Sequence, residues 1–410
     1  MPFHTHRLAN GLQIVAEQTP SARSVALGFF VNTGARDEAA DESGVSHFLE
    51  HMMFKGTARR TALEVNLHMD RIGASTNAYT SEEATVFYAA VLPEYLPQAL
   101  DILADILRPS LREEDFVTEK QVILEEISQY DDRPTFLASD HARRIYFGTH
   151  PLGNTILGTR ASITALTREQ MNAYFERRYA APNLVLAAAG AFDWPAFVAM
   201  VEEKCGHWAG DPVGRDHLHE VSGAGGLHVV AKPGIVQEHV MAMSPGPAVD
   251  SPLRYAAAVL AVAIGDDSGS RFYWELIDPG VVESASCGTD PNHGTGTLVS
   301  SYSCEPEQAS ENLAIVRRIL ADVQDKNITA DELATAKSKI ASRVVRRSER
   351  PMGRMQLVAG AWIYNREHHD IDRELARFDA VSLDSIRECL TRYPIAEPTV
   401  VAFGPLVSLA

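Results

Sequence analysis

The chain has 410 residues, and at about 150 residues per domain this length predicts two domains. Apolar residues make up 45% of the sequence and charged residues 22%, which is typical of a globular protein with sizeable cores. The 37 Lys and Arg against 54 Asp and Glu give a formal net charge of −17. That balance argues against a nucleic-acid-binding protein, which needs a basic surface, and against docking on anionic lipid.

The amino terminus and the cysteines indicate a protein of a reducing compartment. The first residues, MPFHTHRLANGLQIVAEQTP, contain neither a charged-then-apolar leader nor a small-residue cleavage site. The longest apolar run, residues 256–264, is too short to cross a bilayer. The four cysteines lie far apart without a CxxC pair, so neither a disulfide framework nor a zinc ribbon is expected. We therefore expect a cytoplasmic protein with no membrane partner.

Hydrophobic periodicity and turn signals predict short strands and amphipathic helices in the first half of the chain. In chain order these are strands over 12–16 and 24–31, a helix over 43–55, a strand over 84–92, helices over 96–107 and 115–130, a strand over 184–189 and a helix over 194–205. Ser43 is the expected N-cap of the first helix, and Gly56 is the glycine expected just after its end.

Residues 206–226 are rich in Gly, Pro, His and charge, which indicates a linker, and we place its limits at 209–226. After it, GLHVVA at 226–231 repeats the pattern of GLQIVA at 11–16, which suggests an internal duplication. Further helices are predicted over 310–324 and 329–350. These patterns predict two α+β domains, 1–208 and 227–410, each a mostly antiparallel sheet packed with helices.

The most informative stretch is His47-Phe48-Leu49-Glu50-His51. On a helix, two histidines four residues apart point from one face, and their rings can bind one metal ion. Glu50 borders the same face and can reach a metal-bound water without itself being a ligand. The alternative is a surface helix that carries two histidines without a metal, and the apolar residues around them disfavour it.

A catalytic zinc ion usually has three protein ligands and a water, so a third ligand has to come from another element. The predicted helix over 115–130 offers Glu119, Glu125 and Glu126. Glu119 and Glu126 are two helical turns apart on one face, with Val122 and the following isoleucine expected between them on the inward side. Spacing alone leaves open which of the two binds, and also whether both are solvated.

At this point the sequence resembles the insulinase/pitrilysin family of metallopeptidases, because HFLEH is the inverted zinc motif HxxEH. The short members of that family include the mitochondrial processing peptidase and its bacterial relatives. The resemblance covers nearly the whole chain. In order, the matching segments are GLQIV, GVSHFLEHMMFKGT, NAYTSEEATVFY, EKQVILEE, HPLGNTILGT, GDDSGSRFYWEL, ITADELATAKSKI and VVAFGPL.

The resemblance implies two homologous domains of the processing-peptidase or LuxS-like metallohydrolase architecture. It implies that Glu126 is the third zinc ligand and that Glu119 is a catalytic acid behind the ligands. Asn77 and Ala78 resemble the strand edge to which substrate adds as an extra strand, although a simple turn is an alternative for Asn77. Glu83 matches a recurrent glutamate of the family whose role stays open.

The function that the resemblance implies is a zinc endopeptidase acting on peptides or unfolded segments, with one Zn²⁺ per chain. Zinc bound by His47, His51 and Glu126 lowers the pKa of a bound water, and Glu50 takes its proton as general base and passes it to the leaving amine. Two chains are expected to enclose a chamber for the substrate, most simply as a homodimer.

The second half departs from the family pattern in two places. The family normally has an Arg and a Tyr, seven residues apart, that help to hold the substrate carbonyl, but the matching stretch 274–284 contains neither. The counterpart of HxxEH is replaced by AAAVLAVAIG at 256–265, so one zinc site per chain is expected. Three explanations stay open: a homologous partner subunit supplies the pair in a heterodimer, other groups replace it in an active homodimer, or the chain is a scaffold or peptide-binding relative.

Overall fold

The computed structural model describes residues 2–216, 218–368 and 370–409, which form two compact units. The first unit contains Met1–Ser128, Asn154–Asp216 and Val345–Asp370, and the second contains Gln129–Gly153, His217–Val344 and Ile371–Ala410. Each unit thus includes a segment from the opposite half of the sequence. The division of the sequence into 1–208 and 227–410 stays a prediction about where the two repeats begin and end.

A mixed sheet lies at the centre of each unit. The first sheet consists of β1 (Phe3–Arg7), β2 (Gln13–Gln18), β3 (Val25–Val31), β4 (Ser75–Thr80), β5 (Thr85–Val91) and β6 (Leu184–Gly190). The second consists of β7 (Leu227–Ala231), β8 (Glu238–Gly246), β9 (Ser284–Pro291), β10 (Gly296–Cys304) and β11 (Thr399–Gly404). Their spatial orders are β1-β2-β6-β3-β5-β4 and β7-β11-β8-β10-β9.

The two sheets share one topology once β1 is set aside. In each sheet the first strand of the shared set pairs in parallel with the last, β2 with β6 and β7 with β11, and the other pairs are antiparallel. The two segments that echo each other in the sequence form the equivalent strands β2 and β7. The predicted α+β class with mostly antiparallel sheets is confirmed.

Helices accompany these sheets. They are α1 (Val45–Met53), α2 (Ala62–Arg71), α3 (Leu96–Ile106), α4 (Glu113–Tyr130), α5 (Pro134–Phe147), α6 (Arg160–Ala165), α7 (Arg168–Arg178), α8 (Trp194–Cys205), α9 (Arg254–Gly265), α10 (Ala309–Lys326), α11 (Ala330–Ser348), α12 (Pro351–Asn365), α13 (Ile371–Asp379) and α14 (Leu383–Arg392). The six that the sequence predicted, α1, α3, α4, α8, α10 and α11, lie within a few residues of the predicted positions. Across the described ranges, none of the helices is both long and apolar enough to span a membrane.

The start of α1 differs from the prediction, because its N-cap is Gly44 and not Ser43. Gly44 has a φ of +90°, and a Cβ at this position would lie 2.8 Å from the Cα of Gly158. The carboxylate of Glu38 accepts the backbone N–H groups of Gly44 at 2.7 Å and of Ser46 at 2.8 Å. Glu38 therefore satisfies the helix start in the way that a capping side chain does.

The first sheet is covered on both faces. On one face Leu27, Phe29 and Phe87 form a core with residues of α1, α3 and α4. On the other face α12 packs against strand residues such as Ala26 and Val86. This double cover explains why β3, with the sequence VALGFFV, is buried along its whole length and shows no alternation of polar residues.

The predicted linker is irregular in its described part, and its residues up to Asp216 belong to the first unit. The side chain of Arg215 is buried there, and its guanidinium lies 2.8 Å from Asp37. A second buried ion pair joins α12 to β2, where Arg354 contacts the carboxylate of Glu17. His368 contacts the same carboxylate. The four cysteines are all free thiols.

We expect that Arg354→Met lowers the free energy of unfolding by about 3–5 kcal/mol, because the substitution leaves the fully buried charge of Glu17 without its guanidinium. Urea unfolding followed by tryptophan fluorescence measures the change. Glu113→Gln is the matched control, since it removes an exposed ion pair to Arg168 that is worth at most about 1 kcal/mol. Equal losses in the two variants would contradict the role given to the buried pair.

Candidate active site

Two helices of the first unit form the candidate active site. Phe48 of α1 stacks on Phe116 of α4, with ring centroids 4.9 Å apart and planes 15° apart, and both rings are buried. Along α4 the buried face continues from Phe116 through Glu119 to Ile123. Glu126, three residues further on, extends the same stripe. The packing of apolar residues on this stripe brings both glutamates to the α1 side.

Val122 was expected on the inward side of α4, and this prediction is wrong, since 44% of the residue is exposed. At 100° per residue, position 122 lies at the edge of the stripe that runs through Phe116 and Ile123. Glu125 is exposed as well and lies outside the cluster. The helix therefore presents Glu119 and Glu126, and not Glu125, to α1.

His47, His51 and Glu126 form a group that could hold a metal ion, with one donor atom of each residue within 4.8 Å of the others. The Oε2 atom of Glu126 lies 3.7 Å from Nε2 of His47 and 3.5 Å from Nε2 of His51. Donors bound to one tetrahedral zinc ion at about 2.1 Å lie about 3.4 Å from each other. The spacing and the mixed imidazole and carboxylate donors therefore fit zinc.

The environment makes His47 a neutral donor. Its side chain is 10% exposed, and burial, with a smaller contribution from the charge of His51, lowers its pKa to about 3. Its Nδ1 atom has no hydrogen-bond partner. A neutral imidazole keeps a nitrogen lone pair for a metal ion without first losing a proton.

His51 differs from His47 because its other nitrogen is held. Nδ1 of His51 lies 2.9 Å from Oε1 of Glu119, and Oε2 of Glu119 lies 2.5 Å from Nζ of Lys55. Burial disfavours the protonated form of His51, but the hydrogen bond to Glu119 and the nearby carboxylates outweigh it and raise its pKa. Burial likewise disfavours ionised Glu119, but His51 and Lys55 together hold the pKa of Glu119 below its ordinary value.

Glu50 lies beside this group without belonging to it. The hydroxyl of Thr80, at the end of β4, donates a hydrogen bond of 2.6 Å to Oε2 of Glu50. Burial is the largest influence on Glu50 and raises its pKa, against the opposing effects of Thr80 and His51. A carboxyl group with a raised pKa holds a proton more readily than an exposed glutamate does, which is the property of a general base near neutral pH.

Strand β4 lies at the edge of the first sheet, and within the described part of the chain its one neighbouring strand is β5. Most of its residues are exposed, and Asn77 and Ala78 lie in its middle. The backbone N–H of Ala78 donates to the side-chain oxygen of Asn77 at 2.9 Å. Backbone groups of alternate residues in an edge strand face no neighbouring strand and can pair with an added one.

Glu83 anchors the turn between β4 and β5. Its buried carboxylate accepts hydrogen bonds from Arg36 at 2.5 Å and from Tyr364 at 2.8 Å. Arg215 donates to its backbone carbonyl at 2.6 Å. Glu83, whose role was open from the sequence alone, thus stabilises the hairpin formed by β4 and β5.

Sequence reasoning missed two residues of this site. Lys55 had no predicted role in the site, although its position four residues after His51 places it near the same face. Thr80 gave no signal, because its contact with Glu50 depends on how β4 lies against α1.

In the second unit, residues 273–277 form a π-helical turn, and Trp274 is 60% exposed.

An HxxEH helix facing a glutamate, in a chain with two helix-covered mixed sheets, defines the class of inverted-motif zinc peptidases. The family model described as Insulinase (Peptidase family M16) matches residues 13–160, and that described as Peptidase M16 inactive domain matches residues 165–340. The chain belongs to the insulinase family, peptidase family M16.

The relatives agree with this assignment. A zinc protease of Streptomyces coelicolor, named as uncharacterized, is 33% identical over 408 residues, which cover 97% of this chain and 89% of the relative. The mitochondrial-processing peptidase subunit beta of Saccharomyces cerevisiae is 39% identical over 204 residues, 50% of this chain and 44% of the relative. The crystal structure of a protease from Helicobacter pylori has the same fold, with a TM-score of 0.91 at 19% identity over 98% of this chain and 99% of that one.

We expect the purified chain to bind about one zinc ion and Glu126→Gln to lose it, because the group then lacks its one carboxylate donor. The loss of affinity should exceed the roughly 10- to 100-fold that follows when a residue behind the ligands is removed. Equilibrium dialysis with elemental analysis measures the stoichiometry. The exposed neighbour Glu125→Gln serves as control and should keep the zinc. Retention of zinc by Glu126→Gln would rule out this ligand set.

Proposed function

We propose that this chain is a zinc endopeptidase that hydrolyses peptides or unfolded segments. The observation that carries the proposal is the convergence of three donor atoms, from His47, His51 and Glu126, with the carboxylate of Glu50 beside them. Membership of the insulinase family and the relatives named as zinc proteases support it. A zinc ion bound there supplies a Lewis acid for the scissile carbonyl and makes a water more acidic.

Glu50 is the proton carrier of the proposed reaction. Thr80 donates a hydrogen bond to Oε2, and we assign to the other oxygen, Oε1, the proton of the attacking water. The raised pKa allows the same carboxyl group to hold that proton and then give it to the amine that leaves when the peptide bond breaks. The Thr80 hydroxyl fixes the direction of the carboxylate throughout.

Glu119 acts behind the ligands and not on the substrate. Its hydrogen bond holds Nδ1 of His51, so that the opposite nitrogen, Nε2, points to Glu126. Carboxylates that bind the outer nitrogen of a metal-binding histidine fix its tautomer and ring orientation. We therefore assign Glu119 a positioning role in the reaction.

The edge of β4 is the proposed substrate-binding element. An extended peptide that pairs with this edge makes main-chain hydrogen bonds and needs no particular sequence. The side chain of Asn77 has to leave the N–H of Ala78 before a substrate strand can take its place. The hydrogen bond between Thr80 and Glu50 links the end of this strand to the catalytic group.

A second candidate is a catalytic subunit that works only with a homologous partner. The observation that favours it is the absence of both Arg and Tyr from residues 274–284, where the family normally has such a pair. The yeast relative is itself named as a subunit. A homodimer requires that other groups hold the substrate carbonyl, whereas a heterodimer obtains the pair from the partner chain.

We expect Glu50→Gln to lower kcat/KM by about 10²- to 10⁴-fold, because glutamine cannot accept the proton, while the zinc content stays unchanged. Cleavage of a mixed quenched-fluorescence peptide library by the purified chain, with and without chelator, measures the change. Glu125→Gln should retain full activity. An active Glu50→Gln enzyme would refute the assigned base. A zinc-loaded wild type without any cleavage would favour the partner-dependent candidate.

Ala78→Pro tests the substrate edge, because it removes one backbone N–H at a position where an edge strand tolerates proline. Loss of one hydrogen bond of about 1.4 kcal/mol predicts a roughly 10-fold rise in KM with kcat and zinc content nearly unchanged. Steady-state kinetics on a single peptide substrate measure the two constants. Ala78→Ser keeps the N–H and should behave as the wild type. An unchanged KM in the proline variant would argue against strand addition at β4.

A further inference from the structure

We propose that Lys55 is a positioning residue of the zinc site, which acts through Glu119 to orient His51. The inference rests on the proposed function, since it concerns the ligands assigned there. Lys55 adds a cation to the pair formed by His51 and Glu119. It is assigned no direct contact with the metal ion or the substrate.

Lys55, Glu119 and His51 form a linear series of contacts in which each carboxylate oxygen of Glu119 contacts one partner. Oε2 of Glu119 lies 2.5 Å from Nζ of Lys55, and Oε1 lies 2.9 Å from Nδ1 of His51. The Glu119 side chain is only 4% exposed, so these two contacts are its main polar partners in a largely buried position. A rotation of the carboxylate that breaks one contact therefore also disturbs the other.

The charges show why a cation is needed. When Nε2 of His51 binds a metal ion, its ring is neutral and donates a hydrogen bond to Glu119 from Nδ1. The neutral ring offers the buried carboxylate a hydrogen bond but no opposite charge. Lys55 is the cation in contact with Glu119, and a buried carboxylate without such a partner is strongly disfavoured.

The backbone around Lys55 is held in place on both sides. Its N–H donates to the carbonyl of Met52 at the end of α1. Its carbonyl accepts a hydrogen bond of 2.8 Å from Arg112, the residue just before α4. Lys55 is thus fixed between the two helices that carry the ligands, which limits the directions that its side chain can take.

The two histidines are not supported equally, and this makes the Lys55 chain important for the site. Nδ1 of His47 has no hydrogen-bond partner, so no hydrogen bond at that nitrogen orients the ring. His51 is more exposed, at 24% of its side chain against 10% for His47. The more exposed ring is the one that receives a hydrogen-bonded support.

A double-mutant cycle tests whether Lys55 acts through Glu119. Zinc affinity is measured by competition with a chromophoric chelator for the full chain and for K55M, E119Q and the double variant. We expect K55M to weaken zinc binding about 10- to 100-fold, in the range found for partners of metal-binding histidines. The double variant should bind zinc no more weakly than E119Q alone, because the path through Glu119 is already broken.

Two further variants distinguish the positioning role of Lys55 from the effect of removing any lysine near the site. K55R keeps the charge and should restore the affinity to within a few-fold of the wild type. Lys120→Met is the matched control, since Lys120 follows Glu119 in sequence but donates to the carbonyl of Leu166 at 2.6 Å. It should leave zinc affinity unchanged. Thermal unfolding of the metal-free variants is measured alongside, and K55Q replaces K55M if the latter is unstable.

The outcomes distinguish this inference from the proposed function. Wild-type zinc affinity in K55M or K55Q overturns the inference and leaves the proposed function intact, provided that Glu50→Gln is still inactive. Additive losses in K55M and E119Q also overturn it, because they show that Lys55 acts independently of Glu119. A wild-type chain that binds no zinc overturns both.

Discussion

The packing of α1 against α4 is the constraint on which the candidate site depends. One helix can present two histidines on one face, but it cannot complete a three-ligand site. The third donor, Glu126, comes 75 residues after His51 in the sequence. The stacked rings of Phe48 and Phe116 and the buried Ile123 set the approach of the two helices. Because the glutamates of α4 continue that apolar stripe, the same packing that stabilises the core also delivers the donor atoms.

Within this site, environment assigns different roles to chemically equal side chains. Burial keeps His47 neutral, whereas the carboxylate of Glu119 raises the pKa of His51 and fixes its ring. Among the glutamates, Glu119 stays ionised against its cation, while Glu50 is driven towards the protonated form by burial. Neighbouring groups whose surroundings push their pKa values apart are a general mark of acid–base sites. The separation arises here from the burial of Glu50 and from the contacts of Glu119 with His51 and Lys55.

The second sheet and its helices repeat the fold of the first unit without the residues of the candidate metal site. Apart from β1, the second sheet reproduces the strand order of the first, and α9 follows β8 as α1 follows β3. Yet α9 is built from alanine, valine and other apolar residues and is buried along most of its length. The contacts that form the fold do not depend on the metal ligands, since strand pairing and apolar burial need no imidazole or carboxylate. One repeat can therefore retain the ligands while the other retains only the architecture.

The sequence by itself determined the features that depend on local spacing. Hydrophobic periodicity and turn signals predicted β2, β3, β5 and β6 and the helices α1, α3, α4 and α8 of the first half, and HxxEH predicted a metal-binding helix face. Spacing fixes the direction of a side chain about its own helix, but not its distance to another helix. Only the tertiary structure therefore distinguished the positions of the two glutamates. Glu119 lies at Nδ1 of His51, and Glu126 lies near Nε2. It also decided the exchange of segments between the compact units and the contacts of Lys55 and Thr80, because each joins elements that are remote along the chain.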